Sequence, residues 1–266
     1  MGSPAVSPDH ASFAADRASA EDRARYLNGL EDALTGFSTA DPPLPGSPFP
    51  VQQFDPGYRD EGFDWPSTAL TMVGRRRLHN FRELIERAID EGIPGDILEA
   101  GVWRGGASIL ARAVLASRGV TDRRIIVADS FEGLPPPSEE FPADAGAEFH
   151  THPELAVSLE QVRANFDRFG LLDEQVVFLK GWFRDTMPLV DAEALAVLRL
   201  DGDMYESTIV PLEHLYDRLS PGGWVIVDDY HLMAACREAV QDFLAARGID
   251  APLHDIDRVG VYFRKH

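Results

Sequence analysis

Residues 195–230 hold LAVLRLDGDMYES (195–207) and GGWVIVDDY (222–230), and these two stretches decide the fold. Each is a run of apolar, branched or bulky residues that ends on acids: Asp201 and Asp203 in the first, Asp228 and Asp229 in the second. Runs of this kind, bounded by Gly, Asp or Pro, read as strands buried on both faces of a parallel sheet. A helical stretch over residues 207–219 joins them, which makes them neighbours in one sheet. Three or four carboxylates then converge beyond the carboxyl ends of two strands, where open α/β sheets bind their ligands. Like charges that close need a cation or a proton between them. An all-oxygen set suits a hard divalent ion such as Mg²⁺ better than zinc. Local chemistry offers plainer readings beside this one. Asp201 and Asp203 can cap the following helix, with Ser207 and Thr208 sharing that work, and Asp228-Asp229 can end a strand in a turn. Two acid clusters at adjacent strand ends favour a site.

Upstream, the pattern alternates strand and helix. Residues 96–101 (DILEAG) form a strand that ends in the turn GVWRGG, and residues 107–117 form the helix after it. Residues 124–130 (RIIVADS) and 176–181 supply further strands, with an amphipathic helix at 155–169 between them. A helix at 233–246 precedes two short strands, 253–256 and 259–264, close enough to pair as an antiparallel hairpin. Alternating βα units of this kind give a doubly wound sheet with helices on both faces. Before the core, the apolar spacing predicts helices over 21–34 and 70–89, separated by the proline-rich DPPLPGSPFP, which reads as an ordered loop or hinge. Tyr58, Phe63 and Trp65 alternate with acids and suit either a docked helix or a lid. Residues 1–20 are small and polar, and a disordered tail is expected there. The long connection 131–154 reads as a lid or specificity loop. Its His150 and His152 are acid–base candidates or exposed loop residues, and His231 is a candidate neighbour of the acid pair.

Composition narrows the function. A net charge of -19 argues against nucleic acid, because a phosphate backbone needs a basic face. Cys236 is the only cysteine, so no disulfide framework or cysteine-based zinc cluster is available. It reads as a small apolar residue on a helix. No apolar stretch approaches the roughly 20 residues of a membrane span, and no signal peptide core is evident. A cytoplasmic setting is the default expectation.

The first turn, Glu99-x-Gly101-x-x-x-Gly105-Gly106, departs from the G-x-G-x-x-G that cradles a pyrophosphate. Its glutamate repels phosphate and suits a cationic ligand. Asp129 closes the second strand, where an acid accepts hydrogen bonds from ribose hydroxyls. A glycine turn, a ribose acid and no phosphate cradle together describe a site for S-adenosylmethionine.

With GVWRGG, ADSFEGLP, GWF, LRLDGD-YES and GG-VIVDDY in that order, the chain from about Tyr58 onward resembles the macrocin O-methyltransferase family. Those enzymes depend on S-adenosylmethionine and Mg²⁺ and methylate sugar hydroxyls of macrolide and aminocoumarin antibiotics. The resemblance implies a Rossmann-like class I methyltransferase fold. That fold is a mostly parallel, seven-stranded, doubly wound sheet with an antiparallel C-terminal hairpin and an N-terminal helical lid. It implies a methyltransferase domain over 71–266, with 21–70 as the lid. It further implies metal ligation by Asp201, Asp228 and Asp229, with Asp203 as general base beside Asp201. Cofactor contacts are implied at Glu99, Gly101, Asp129, Ser130 and Trp182, together with a glycoside acceptor and assembly as a homodimer or larger homo-oligomer. Two alternatives stand beside it: a Mg²⁺-dependent nucleotide-sugar glycosyltransferase, since D-x-D also serves diphosphate leaving groups, and a non-catalytic methyltransferase-like scaffold.

Overall fold

The computed structural model describes residues 19–266. Of the tail expected over 1–20, residues 1–18 lie outside the described residues. Ser19 caps and Ala20 opens the first helix, the cap accepting from Asp22 N–H at 3.1 Å.

Seven strands form one sheet in the order β3-β2-β1-β4-β5-β7-β6. They are β1 (Asp96–Ala100), β2 (Ile125–Asp129), β3 (Val176–Lys180), β4 (Leu195–Leu200), β5 (Leu219–Val227), β6 (His254–Asp255) and β7 (Val261–Arg264). The first five are parallel; β7 runs antiparallel between β5 and β6, so the expected hairpin inserts its second strand rather than adding at the edge. The strand order reverses at β1, which sits between β2 and β4 and opens a crevice at their carboxyl ends.

Alternation along the strands sorts the core into two layers. Ile97, Val127, Val197 and Ile226 pack on α1 (Ala20–Leu34), α3 (Gly74–Asp90) and α4 (Gly106–Ser117). Leu98, Ile126, Leu198 and Val225 pack on α7 (Tyr205–Leu215) and α8 (Ala234–Arg247), which buries Cys236 as expected. The remaining helices are α2 (Pro56–Glu61), α5 (Leu159–Arg168) and α6 (Phe183–Thr186). No helix among the described residues is long and apolar enough to cross a membrane.

The N-terminal segment is part of this core. Leu27, Leu30 and Leu34 fall at helical spacing on α1 and are buried in the first layer, each worth about 1.5–3 kcal/mol over an exposed position. The proline run is an ordered loop because buried polar groups pin it. Arg59 is fully buried, pairs with Asp64 at 2.7 Å and donates to the carbonyls of Thr35 and Asp41. The Asp41 carboxylate in turn accepts the Thr68 and Ala69 amides. The segment with alternating aromatics meets the docked-helix reading, since α2 packs on α3, and Trp65 beyond it touches His152 of the long loop, edge to face at 5.6 Å.

A pH-dependent tie joins α1 to α3. His79 Nδ1 lies 3.1 Å from Glu31, and this hydrogen bond raises the imidazole above its ordinary 6.5. A group raised on folding stabilises fully below its unfolded value and loses that contribution as pH climbs through the folded one. The unfolding midpoint is therefore expected to fall from pH 6 to pH 9 by more in the native protein than in His79→Leu. Equal slopes in the two would refute the link.

Candidate active site

The register aligns the two acid clusters. Leu200 pairs with Val227, so Asp201 and Asp228, each the first residue past its strand, stand side by side. Asp228 N–H donates to the Leu200 carbonyl at 2.9 Å, and Asp201 N–H to Ala100. One oxygen each of Asp201, Asp228 and Asp229 lies within 4.8 Å of the others.

Gly101 is where β1 yields to this cluster. Its φ is +88°, and a Cβ there would lie 1.7 Å from the Asp201 carbonyl oxygen, so only glycine lets the two strand ends meet. Non-glycine residues with positive φ gather here too: Trp103 after β1, Phe131 after β2 and Asp203 after β4. Three of the four such residues among the described residues thus follow strands around one crevice, where backbone strain marks sites.

The helix-cap reading of the D-x-D fails on geometry. The first amides of α7, those of Tyr205 and Glu206, donate to the Asp144 carboxylate at 2.6 and 3.0 Å. Asp144 belongs to the long connection, which carries three short 3-10 turns and buries this side chain. With the helix capped from outside, Asp201 and Asp203 are left for other work. Asp203 N–H donates to Asp229 Oδ2 at 3.1 Å, tying one cluster to the other.

Two buried arginines, absent from the expected site, organise the acids. Arg199 on β4 is fully buried and stands in register with Glu99 on β1. Its guanidinium reaches Glu99 Oε1 at 2.5 Å, Asp201 Oδ2 at 3.0 Å and Asp228 Oδ1. Arg77 of α3 takes the other Asp228 oxygen and reaches Asp257 at 3.2 Å. Glu99 also accepts from Ser108 of α4, so it lies beneath the turn and does not line the crevice. The sequence carried a signal for this pair: opposite charges inside two apolar strands, each two residues short of the strand-end Gly101 or Asp201.

The acids outnumber these cations, and burial makes that felt. Burial, then Asp228, pushes Asp201 up to about 8 and Asp203 up to about 6; burial, then Asp203 and Asp201, holds Asp229 well above its ordinary value. Groups so placed take either protons or a cation. Asp228, with both oxygens already oriented by guanidinium N–H groups, keeps lone pairs for a metal. The donor set is all oxygen, as Mg²⁺ prefers, and the residues present fit such an ion.

A cleft with about 780 Å³ of empty space, counted out to bulk solvent, opens beside the cluster. Gly101, Asp129, Ser130, Trp182, Asp201 and Asp203 all line it; Glu99, Asp228 and Asp229 do not. Asp129 is also a turn residue, accepting from Val102 N–H at 2.8 Å and Phe131 N–H at 2.7 Å, and burial raises its carboxyl. Trp103 and Met72 are cleft walls, and Trp103 Nε1 donates to the Glu154 carbonyl at 2.9 Å. Among the described residues Arg104 forms no ion pair with an acid; it donates to the carbonyls of Pro66 and Ala69 and lies over the Trp103 ring. His231 turns to Asp255 at 2.9 Å on the terminal hairpin.

Comparison with known proteins converges on one family. The model of the macrocin-O-methyltransferase (TylF) family matches residues 46–265. A Streptomyces olivaceus protein, 8-demethyl-8-(2,3-dimethoxy-alpha-L-rhamnosyl)-tetracenomycin-C 4'-O-methyltransferase, is 50% identical over 241 residues, covering 90% of this chain and 92% of the relative. Mycinamicin III 3''-O-methyltransferase of Micromonospora griseorubida is 46% identical over 244 residues, covering 90% and 96%. The solved structure of the O-methyltransferase NovP superposes with a TM-score of 0.88 at 45% identity, covering 92% of this chain and 99% of that one.

Proposed function

The chain belongs to the macrocin O-methyltransferase family, and from that premise we propose that it moves a methyl group from S-adenosylmethionine to a sugar hydroxyl of a glycosylated natural product, with Mg²⁺ as cofactor. Its fold is the class I methyltransferase fold. The observation that carries the proposal is the set of Asp201, Asp228 and Asp229 oxygens within 4.8 Å, beside a cleft lined by Gly101, Asp129, Ser130 and Trp182. The name of the tetracenomycin relative, which specifies a rhamnosyl group, supports a sugar-bearing acceptor.

Asp201, Asp228 and Asp229 would hold the ion, Asp228 steadied by Arg77 and Arg199. When bound, the cation supplies Lewis acidity that lowers the pKa of a hydroxyl beside it. The chain's own residues do the rest. Methyl transfer is an in-line displacement in which an O–C bond forms, the C–S bond breaks and the hydroxyl proton needs a base. Asp203 lines the cleft and is held by its amide to Asp229, so it is the acid we assign to that proton. Gly101 lines the cleft at the turn where the donor would sit, with Asp129 and Ser130 at its ribose and Trp182 as a wall. The loop 131–154 serves as the roof over the acceptor, with its Leu134 and Pro135 lining the cleft.

The glycosyltransferase reading of the D-x-D lacks support, because the two basic groups at the cluster, Arg77 and Arg199, are committed to carboxylates and offer no pyrophosphate cradle. The decisive assay supplies labelled S-adenosylmethionine and a panel of rhamnosyl and other deoxysugar glycosides, with and without chelator. Label is expected in the glycoside, lost on chelation and restored by Mg²⁺. Turnover indifferent to chelator removes the metal from the proposal, and cofactor binding with silence across the panel favours the scaffold alternative. We extend the reading to a homodimer or larger homo-oligomer; a light-scattering mass of one chain overturns that.

A further inference from the structure

Glu206 stands in the first turn of α7, is 4% exposed and lines the cleft. Two contacts fix it: its backbone N–H donates to Asp144 Oδ2 at 3.0 Å, and its Oε1 takes Arg184 Nη2 at 2.6 Å. The other carboxylate oxygen, Oε2, is buried with no hydrogen-bond partner. Seven other buried side-chain atoms among the described residues share that condition, on Asn80, Arg82, Arg112, Arg123, Ser138, Arg199 and Trp224, and none of those residues lines the cleft. A buried acceptor with no donor is costly, and native structures leave few unexplained. One held rigid on a cleft wall is explained by a ligand that brings the donor.

The geometry points to the exocyclic amino group of the donor's nucleoside base as the partner of Glu206 Oε2, an inference that rests on the proposed use of S-adenosylmethionine. Direction supports the base over the acceptor sugar. Arg184, which holds Glu206, comes two residues after Trp182, beyond β3. In the order β3-β2-β1-β4-β5 that is the opposite side of the crevice from Asp228 and Asp229 after β5. The nucleoside contacts assigned to Ser130 and Trp182 follow β2 and β3, so Glu206 closes the cleft on that side. Chemistry narrows the donor group: a carboxylate accepts from an amino N–H and repels the lone pairs of ring nitrogens, so it favours a 6-aminopurine presented by its amino edge.

Calorimetry on the full chain tests this with two ligands, S-adenosylhomocysteine and its analogue with hydrogen in place of the base amino group. The native protein is expected to prefer the amino-bearing ligand by on the order of tenfold or more, as a charged acceptor warrants. Glu206→Gln keeps an oxygen for Arg184 and turns an amide N–H₂ toward the ligand; it is expected to abolish the preference while the acceptor KM stays unchanged. A native protein that binds both ligands equally overturns the inference without recourse to any variant. So does a Glu206→Gln protein that keeps the preference, or one whose defect lies in the acceptor KM alone. No binding of either ligand to the native protein instead overturns the S-adenosylmethionine reading beneath it.

Discussion

Asp203→Asn is expected to lower kcat by about 10²–10⁴-fold, the range for removing a positioned general base, while leaving the S-adenosylhomocysteine affinity and the unfolding midpoint close to native. The fold should tolerate the change because asparagine adopts the left-handed conformation that Asp203 holds at φ +60° about as readily as aspartate. Its backbone N–H keeps the bond to Asp229 Oδ2. What is lost is the acceptor. Burial and the neighbouring Asp228 raise this carboxyl above its ordinary value, toward the range in which a base takes a proton efficiently. A capping role predicts the opposite pattern, lost stability with turnover retained, and Asp144 already fills that role. An Asn variant with full turnover would withdraw Asp203 as base.

Arg199→Met is expected to cost about 3–5 kcal/mol of stability, the range for removing one partner of a buried ion pair. At roughly 2–4 °C per kcal/mol for a chain of this size class, the thermal midpoint should drop on the order of 10 °C. The side chain is fully buried and its guanidinium answers three carboxylates from three strand ends, Glu99, Asp201 and Asp228. Removing it leaves those acids facing Arg77 alone, which is shared with Asp257. Two further measurements separate this from a mere packing defect. Adding Glu99→Gln should recover part of the loss by deleting one uncompensated charge. Mg²⁺ should raise the midpoint of the variant by more than that of the native protein, since the ion we propose at Asp201 and Asp228 would replace part of the missing charge. A midpoint within 2 °C of native, unresponsive to either change, would show that the acids do not depend on Arg199, against the roughly 3 kcal/mol minimum expected here.

The sequence by itself determined the architecture and where the strand-end acids gather. Apolar runs of strand length ending in Asp201, Asp129 and Asp228 specify buried parallel strands, and the helical spacing of Leu27, Leu30 and Leu34 specifies a packed helix. These signals are local, set by side-chain period and by what may end a strand, so they survive without knowledge of the fold. The tertiary structure alone decided which charges meet. Arg199 finds Glu99 across 100 residues, Arg77 finds Asp228 across 151, and Asp144 caps a helix that begins 61 residues later. Each pairing depends on strand order and register rather than on neighbours in the chain, and so Glu99 lies beneath the turn with Arg199 while Asp203 lines the cleft. A charge in an apolar strand announces that it needs a partner; only the packed sheet says which one.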